Sequence, residues 1–263
     1  DTSDKSEKPS IRVSALPDGV PVVRVNPEAV YGWNSPQFIK ERVMLKDEDV
    51  ASALASGYYT DAAGGRMDTS VLQYMQENAA KRGLSGVKAY IDNQSKEPVA
   101  YARVDETRNG SQYILVNEKF LQLKPEQQRA AIDHELAHLQ LGHASAENKT
   151  AILNMKGDAR SAYQRLMETE TDRVGICQAH DPQVSSRHLA DSLTVIKDQQ
   201  VAYLRGGNPT ASTSEIIKQM DKKGHYHPPV EQRIKDVLDH PENCGTVPLT
   251  TPSGYPIPGG LKK

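Results

Sequence analysis

This chain is predicted to adopt an α+β fold, mostly helical with one small sheet. Three observations lead there. Several long segments place apolar residues at helical spacing. Three short strand candidates crowd between Val87 and Val116. The strands form one block between helices instead of alternating with them, which is the α+β order.

The elements follow in chain order. Residues 1–25 form an N-terminal arm, polar over Asp1 to Ser10 and alternating from Ile11 to Val25 as one extended edge segment. A single domain is expected over residues 26–240. Its first part carries helical patches at Phe38 to Met44 and Asp47 to Leu54. Asp68-Thr-Ser can cap a helix that runs to about Arg82, with Val71, Leu72, Tyr74, Met75 and Ala79 at helical spacing. Gly83 and Gly86 end it. The strand candidates are Val87 to Ile91, Val99 to Val104 and Tyr113 to Val116, with an Asn109-Gly110 turn between the last two.

Pro125 then opens a helix from about Glu126 to His143. Further helices are expected over Arg160 to Ala179, Ser185 to Leu204, and from the diproline Pro228-Pro229 to about Leu238. Residues 241–263 are rich in Pro, Gly and Thr and read as a surface tail.

Composition narrows the function classes. The 263 residues carry a formal net charge of −2, with no basic stripe of the kind nucleic acid requires. The longest apolar stretches, such as Ala29 to Trp33, are far too short to cross a bilayer. The chain begins at Asp1 and not at Met, which reads as a trimmed form and leads us to expect a periplasmic or otherwise exported protein. Two cysteines, Cys177 and Cys244, are too few for a zinc-cysteine cluster. They form either one disulfide, which suits export, or two buried thiols.

The chemistry concentrates in Asp133-His134-Glu135-Leu136-Ala137-His138, an H-E-x-x-H pattern on a predicted helix. Residues four apart lie about 40° apart around a helix, so both imidazoles leave one face and can share a zinc ion. Glu135 stands beside them as a general base for water. A metzincin continuation would need Gly and His where this chain has Leu141 and Ala144. His143, nine residues past His134, is expected to face away from the ion.

The third ligand is sought in Glu168-Thr-Glu-Thr-Asp172. Glu168 and Asp172 are also four apart on a predicted helix. Glu168 would complete a His2Glu set and leave a fourth position for water. Asp172 would orient a ligand histidine through its far nitrogen. Glu170 points to another face. In His225-Tyr226-His227-Pro228-Pro229, His227 precedes a helix start and could reach the metal or a developing oxyanion.

These three motifs together resemble the metallopeptidase family of the CAAX prenyl protease, HtpX and BepA. The matching residues are His134-Glu-Leu-Ala-His138 running on to His143-Ala-Ser, Glu168-x-x-x-Asp172 with Arg173-Val-Gly175, and His227-Pro-Pro-x-x-x-Arg233-Ile. The resemblance covers about Val71 to Leu238. It implies a gluzincin-like domain in which the edge strand of a small sheet flanks the zinc helix. It also implies one zinc ion per chain, held by His134, His138 and Glu168, with Glu135 as base and His227 at the cleft. Tyr113-Ile-Leu-Val-Asn117 is similar to the family's substrate-binding edge strand. Membrane helices and a helical repeat tail, present in some relatives, have no counterpart in this sequence.

The function so implied is hydrolysis of peptide bonds in protein or peptide substrates, with a place in envelope protein quality control. The rival reading is a latent or inactive zinc-binding, chaperone-like module whose cleft is closed by His227.

Overall fold

The structure is a computed structural model that describes residues 44–154, 157–179, 182–222 and 228–239, together with the strands Ile11–Ala15 and Pro21–Val25. Cys244, His227 and the tail from Pro241 lie outside the described residues.

The N-terminal strands, β1 (Ile11–Ala15) and β2 (Pro21–Val25), pair antiparallel with Ile11 opposite Val25. The expected single extended segment is therefore two paired strands. Pro17, Asp18 and Gly19 lie between them, and such residues favour a chain reversal.

The main body starts with α1 (Asp47–Ala55) and β3 (Tyr59–Asp61), followed by α2 (Thr69–Lys81). Asp68 caps α2 as predicted, its carboxylate accepting from Ser70 N at 2.7 Å. Then come β4 (Lys88–Asp92), β5 (Ala102–Glu106) and β6 (Gln112–Asn117). The helical remainder is α3 (Pro125–Gln140), α4 (Ala146–Asn154), α5 (Gly157–Cys177), α6 (Pro182–Gly207), α7 (Thr213–Lys222) and α8 (Val230–Asp239). The architecture is α+β, as predicted, with a mixed four-stranded sheet.

Strand order in that sheet is β3-β4-β6-β5. β6 runs parallel to β4 and antiparallel to β5. It is therefore an inner strand, which corrects the reading of Tyr113 to Asn117 as the edge. The cause is in the side chains. Ile114 and Val116 pack into the main core with Met75, Ile132 and Leu136, while Tyr113 and Leu115 pack on the opposite face with Val50. A strand buried on both faces cannot also serve as a wet edge. The edge strand beside α3 is β5, whose Arg103, Asp105 and Glu106 are partly exposed.

α3 lies at the centre of the molecule, packed against α2, α5, α6 and β5. Pro125 occupies its first turn, and Lys124 N donates to Gln127 Oε1 at 3.0 Å. Behind it, Asp133 accepts from the Tyr74 hydroxyl at 2.5 Å and from Arg82 Nη2 at 3.1 Å. Arg82 Nη2 also reaches Gly175 O at 3.1 Å, so one buried guanidinium ties α2, α3 and α5 together.

Candidate metal centre

The helical period places His134 and His138 on one face of α3, with ring centroids 4.7 Å apart. α5 crosses that face closely because Gly175 has no side chain. A Cβ there would stand 3.2 Å from Asp133 O and 3.3 Å from His134 Cα. This approach brings Glu168 opposite the two imidazoles. His134 Nε2 lies 3.4 Å from Glu168 Oε2, His138 Nε2 lies 3.4 Å from Glu168 Oε1, and the two Nε2 atoms are 3.1 Å apart. These three residues are the one group of potential ligands among the described residues close enough to hold a metal ion. All three are buried.

The spacing carries chemical meaning. Ligand atoms at about 2.0–2.1 Å from a tetrahedral ion stand roughly 3.3 Å from one another. The two imidazole nitrogens, 3.1 Å apart, are near that edge length, and each stands 3.4 Å from one of the two Glu168 oxygens. Two imidazole nitrogens and a carboxylate oxygen converging without a cation would bring lone pairs face to face, so this donor set fits a metal ion.

Asp172 lies behind His134. Its Oδ1 lies 2.7 Å from His134 Nδ1, the nitrogen turned away from the ligand cluster. Arg233, on α8, grips the same carboxylate with Nε to Oδ2 at 2.8 Å and Nη2 to Oδ1 at 2.8 Å. Its Nη2 also stands 3.5 Å from Glu168 Oε2. Arg233 was visible in the sequence only as part of a motif. Its bidentate reach across helices needed the packing of α8 to appear.

The electrostatics follow from burial and these neighbours. Burial would lower the His134 imidazole, but Asp172 and Glu168 outweigh it and raise it to about 10. Burial would raise Asp172, but Arg233 and His134 overcome this and hold it down at about 2. Glu135 is raised, chiefly by burial. A site this rich in acceptors retains a positive charge, either a proton or a metal ion.

One sequence reading changes and another holds. His143 does not face away. α3 ends at Gln140, and Gly142 turns the chain at φ +72°. His143 N then donates to His138 O at 2.9 Å and Gly142 N to Leu139 O at 3.1 Å, the double bond pattern of a Schellman end. This reversal sets His143 Nδ1 2.8 Å from His138 Nδ1. The signal was Gly142 itself, the usual residue just past a helix end. Glu170, read as pointing elsewhere, does lie off the ligand cluster, with its Oε2 4.0 Å from His143 Nε2. Burial pushes its carboxyl up to about 8.

The ligand cluster opens into a cleft of about 310 Å³. His134, Glu135 and Glu168 stand on its wall. Residues Val99 to Ala102 line one side and Leu189, Leu193 and Ile196 of α6 the other. Among the described residues there is no free cysteine, and no helix is long and apolar enough to cross a membrane.

Comparison with protein-family models, with curated proteins and with solved structures finds no match to this chain.

Proposed function

We propose that this chain is a gluzincin-like zinc endopeptidase that hydrolyses peptide bonds of protein substrates. The observation that carries the reading is the convergence of His134 Nε2, His138 Nε2 and the Glu168 carboxylate, close enough together to hold one metal ion, with Glu135 beside them on the wall of an open cleft. Two imidazoles and one carboxylate with room for a further ligand form a catalytic zinc set. A zinc ion held there would polarise the scissile carbonyl and bring the pKa of a water to about 7.

The chain's own residues do the rest. Glu135 accepts a proton from the attacking water as oxygen bonds to the carbonyl carbon, and delivers it to the nitrogen as the C–N bond breaks. Asp172 keeps the His134 proton on Nδ1, so that Nε2 presents a lone pair. Arg233 neutralises Asp172 and steadies Glu168.

Substrate would bind as an added strand on β5. Asn117 N donates to Tyr101 O at 3.3 Å and Tyr101 N to Asn117 Oδ1 at 3.1 Å, so Tyr101 faces β6. With Ala102 opposite Val116 in register, the alternation of an antiparallel pair turns the main-chain groups of Ala102 and Val104 outward. Those groups are what an extended peptide would bond.

The test is metal content and casein cleavage on wild type, Glu168→Ala and Glu135→Gln. One zinc per chain, weakened by Glu168→Ala, with chelator-sensitive cleavage supports the reading. Glu135→Gln should retain metal and lose about 10²–10⁴-fold in rate. A Glu135→Gln protein cleaving at the wild-type rate rejects the mechanism. His227→Ala separates the two roles read for that residue, with lost activity marking an oxyanion donor and gained activity a latch.

A further inference from the structure

We propose that His143 is a positioning residue for the metal centre, holding His138 in the one tautomer and ring orientation that aims its Nε2 at the ion. This rests on the metal-binding half of the reading above and is independent of peptide hydrolysis.

The argument begins with His138. Its Nε2 faces His134 and Glu168, so Nδ1 is the nitrogen turned away from the ligands. A neutral imidazole that ligates through Nε2 must carry its proton on Nδ1. That proton needs an acceptor, because the ring is buried. His143 Nδ1 lies 2.8 Å away.

Thr171 sits beside this bond as a second acceptor common to both rings, and the direction of the bond is set by the lone pair that Nε2 must offer a metal ion. Its Oγ1 stands 3.3 Å from His138 Nδ1 and 3.3 Å from His143 Nδ1. Its own proton is committed to Met167 O at 2.7 Å. The hydroxyl therefore offers only lone pairs to the two rings. A proton on His138 Nδ1 satisfies both His143 Nδ1 and Thr171 Oγ1. His143 then carries its proton on Nε2, which points toward Glu170 Oε2 at 4.0 Å. Neither of those two buried atoms has a hydrogen-bond partner.

The reverse arrangement is chemically distinct. If His143 Nδ1 donated to His138 Nδ1, the His138 proton would move to Nε2 and occupy the lone pair a metal needs. The two patterns exclude each other, and only one admits the ion. The backbone fixes His143 for this task. The Schellman end at Gly142 returns the residue to His138, and Asn148 Nδ2 holds the His143 carbonyl at 2.8 Å. The two ligand histidines are thus oriented by different means, His134 by a carboxylate and His138 by a second imidazole.

The experiment measures zinc affinity by chelator competition on wild type, His143→Phe and His143→Asn, with metal-free melting temperatures recorded alongside. Phe fills the space but accepts no proton, and zinc affinity should fall about 10–100-fold. Asn places an amide oxygen near the Nδ1 position and should recover most of the loss. A second measurement needs no variant. Imidazole nitrogen NMR of the zinc-loaded wild type should find the His138 proton on Nδ1 and the His143 proton on Nε2. A folded His143→Phe protein with wild-type affinity overturns the proposal, and so does a proton on His143 Nδ1. Zinc binding without cleavage removes the peptidase reading and leaves this inference standing. A wild type that binds no zinc removes both.

Discussion

Asp172 and Arg233 form a buried two-pronged ion pair, and the same Asp172 carboxylate reaches His134 Nδ1 at 2.7 Å. A ligand histidine is therefore tied to α8 through one acid. Breaking a buried pair from one side costs about 3–5 kcal/mol, because the remaining charge stays without a partner. Arg233→Met should lower unfolding stability by that order and weaken metal binding at the proposed centre. Adding Asp172→Asn to it should recover part of the stability without restoring the metal affinity. Denaturant titration of the two single variants and the double variant measures the coupling.

Gly175 sets the distance between α3 and α5. A methyl group at this position meets main-chain atoms of Asp133 and His134, which cannot swing aside. Gly175→Ala should cost about 1–3 kcal/mol and loosen the metal site. Gly206, on α6, is a matched control, since a Cβ there meets nothing within 4 Å. Gly206→Ala should leave metal affinity unchanged and be neutral or stabilising by up to about 1 kcal/mol. Thermal melts and chelator competition on both variants distinguish local crowding from a general glycine effect.

The pH dependence of the metal-free protein should carry the signature of Glu170. Its carboxyl is raised by burial from 4.5 to about 8, so the folded state binds a proton that the unfolded state releases. Its contribution to stability is fully present below pH about 4.5 and is lost as pH rises toward 8. Glu170→Gln should remove this slope and gain stability relative to wild type across that window. Equilibrium unfolding at several pH values checks the sign, and a variant whose difference from wild type does not change with pH contradicts it.

The proposed pairing of a substrate on β5 predicts a period of two. Peptides methylated at single backbone nitrogens should lose cleavage at alternate positions, where the methyl removes a donor aimed at Ala102 or Val104. Losing one such bond, at about 1 kcal/mol, reduces kcat/KM by roughly five-fold or more. Equal tolerance at every position would argue against strand addition.

The order of the elements was largely legible in the sequence, and the reasons for the misses are physical. The H-E-x-x-H spacing and the Glu168–Asp172 pair depend only on helical period, so local sequence sufficed to place those side chains on shared faces. The role of Tyr113 to Asn117 depended on its neighbours. Its unbroken run Tyr-Ile-Leu-Val is the mark of a strand buried on both faces, whereas Ala102 to Glu106 mixes small and charged residues as an edge does. His143 was misplaced because the helix was extended past Gly142 and its angle counted as if the helix continued. β3, α4 and α7 escaped notice. β3 has only three residues, and its register is set by pairing with β4.

The brace of Tyr74, Arg82 and Gly175 around Asp133 has a consequence for how the proposed metal centre would be filled. The residue next to the first ligand is locked into the core by bonds in which an ion takes no part. Chelation should therefore leave a folded scaffold with its cleft in shape, unlike small zinc domains that unravel when stripped. Such a scaffold can be made in advance, kept idle, and charged when metal arrives. Its working fraction would follow the availability of the ion and would need no new synthesis.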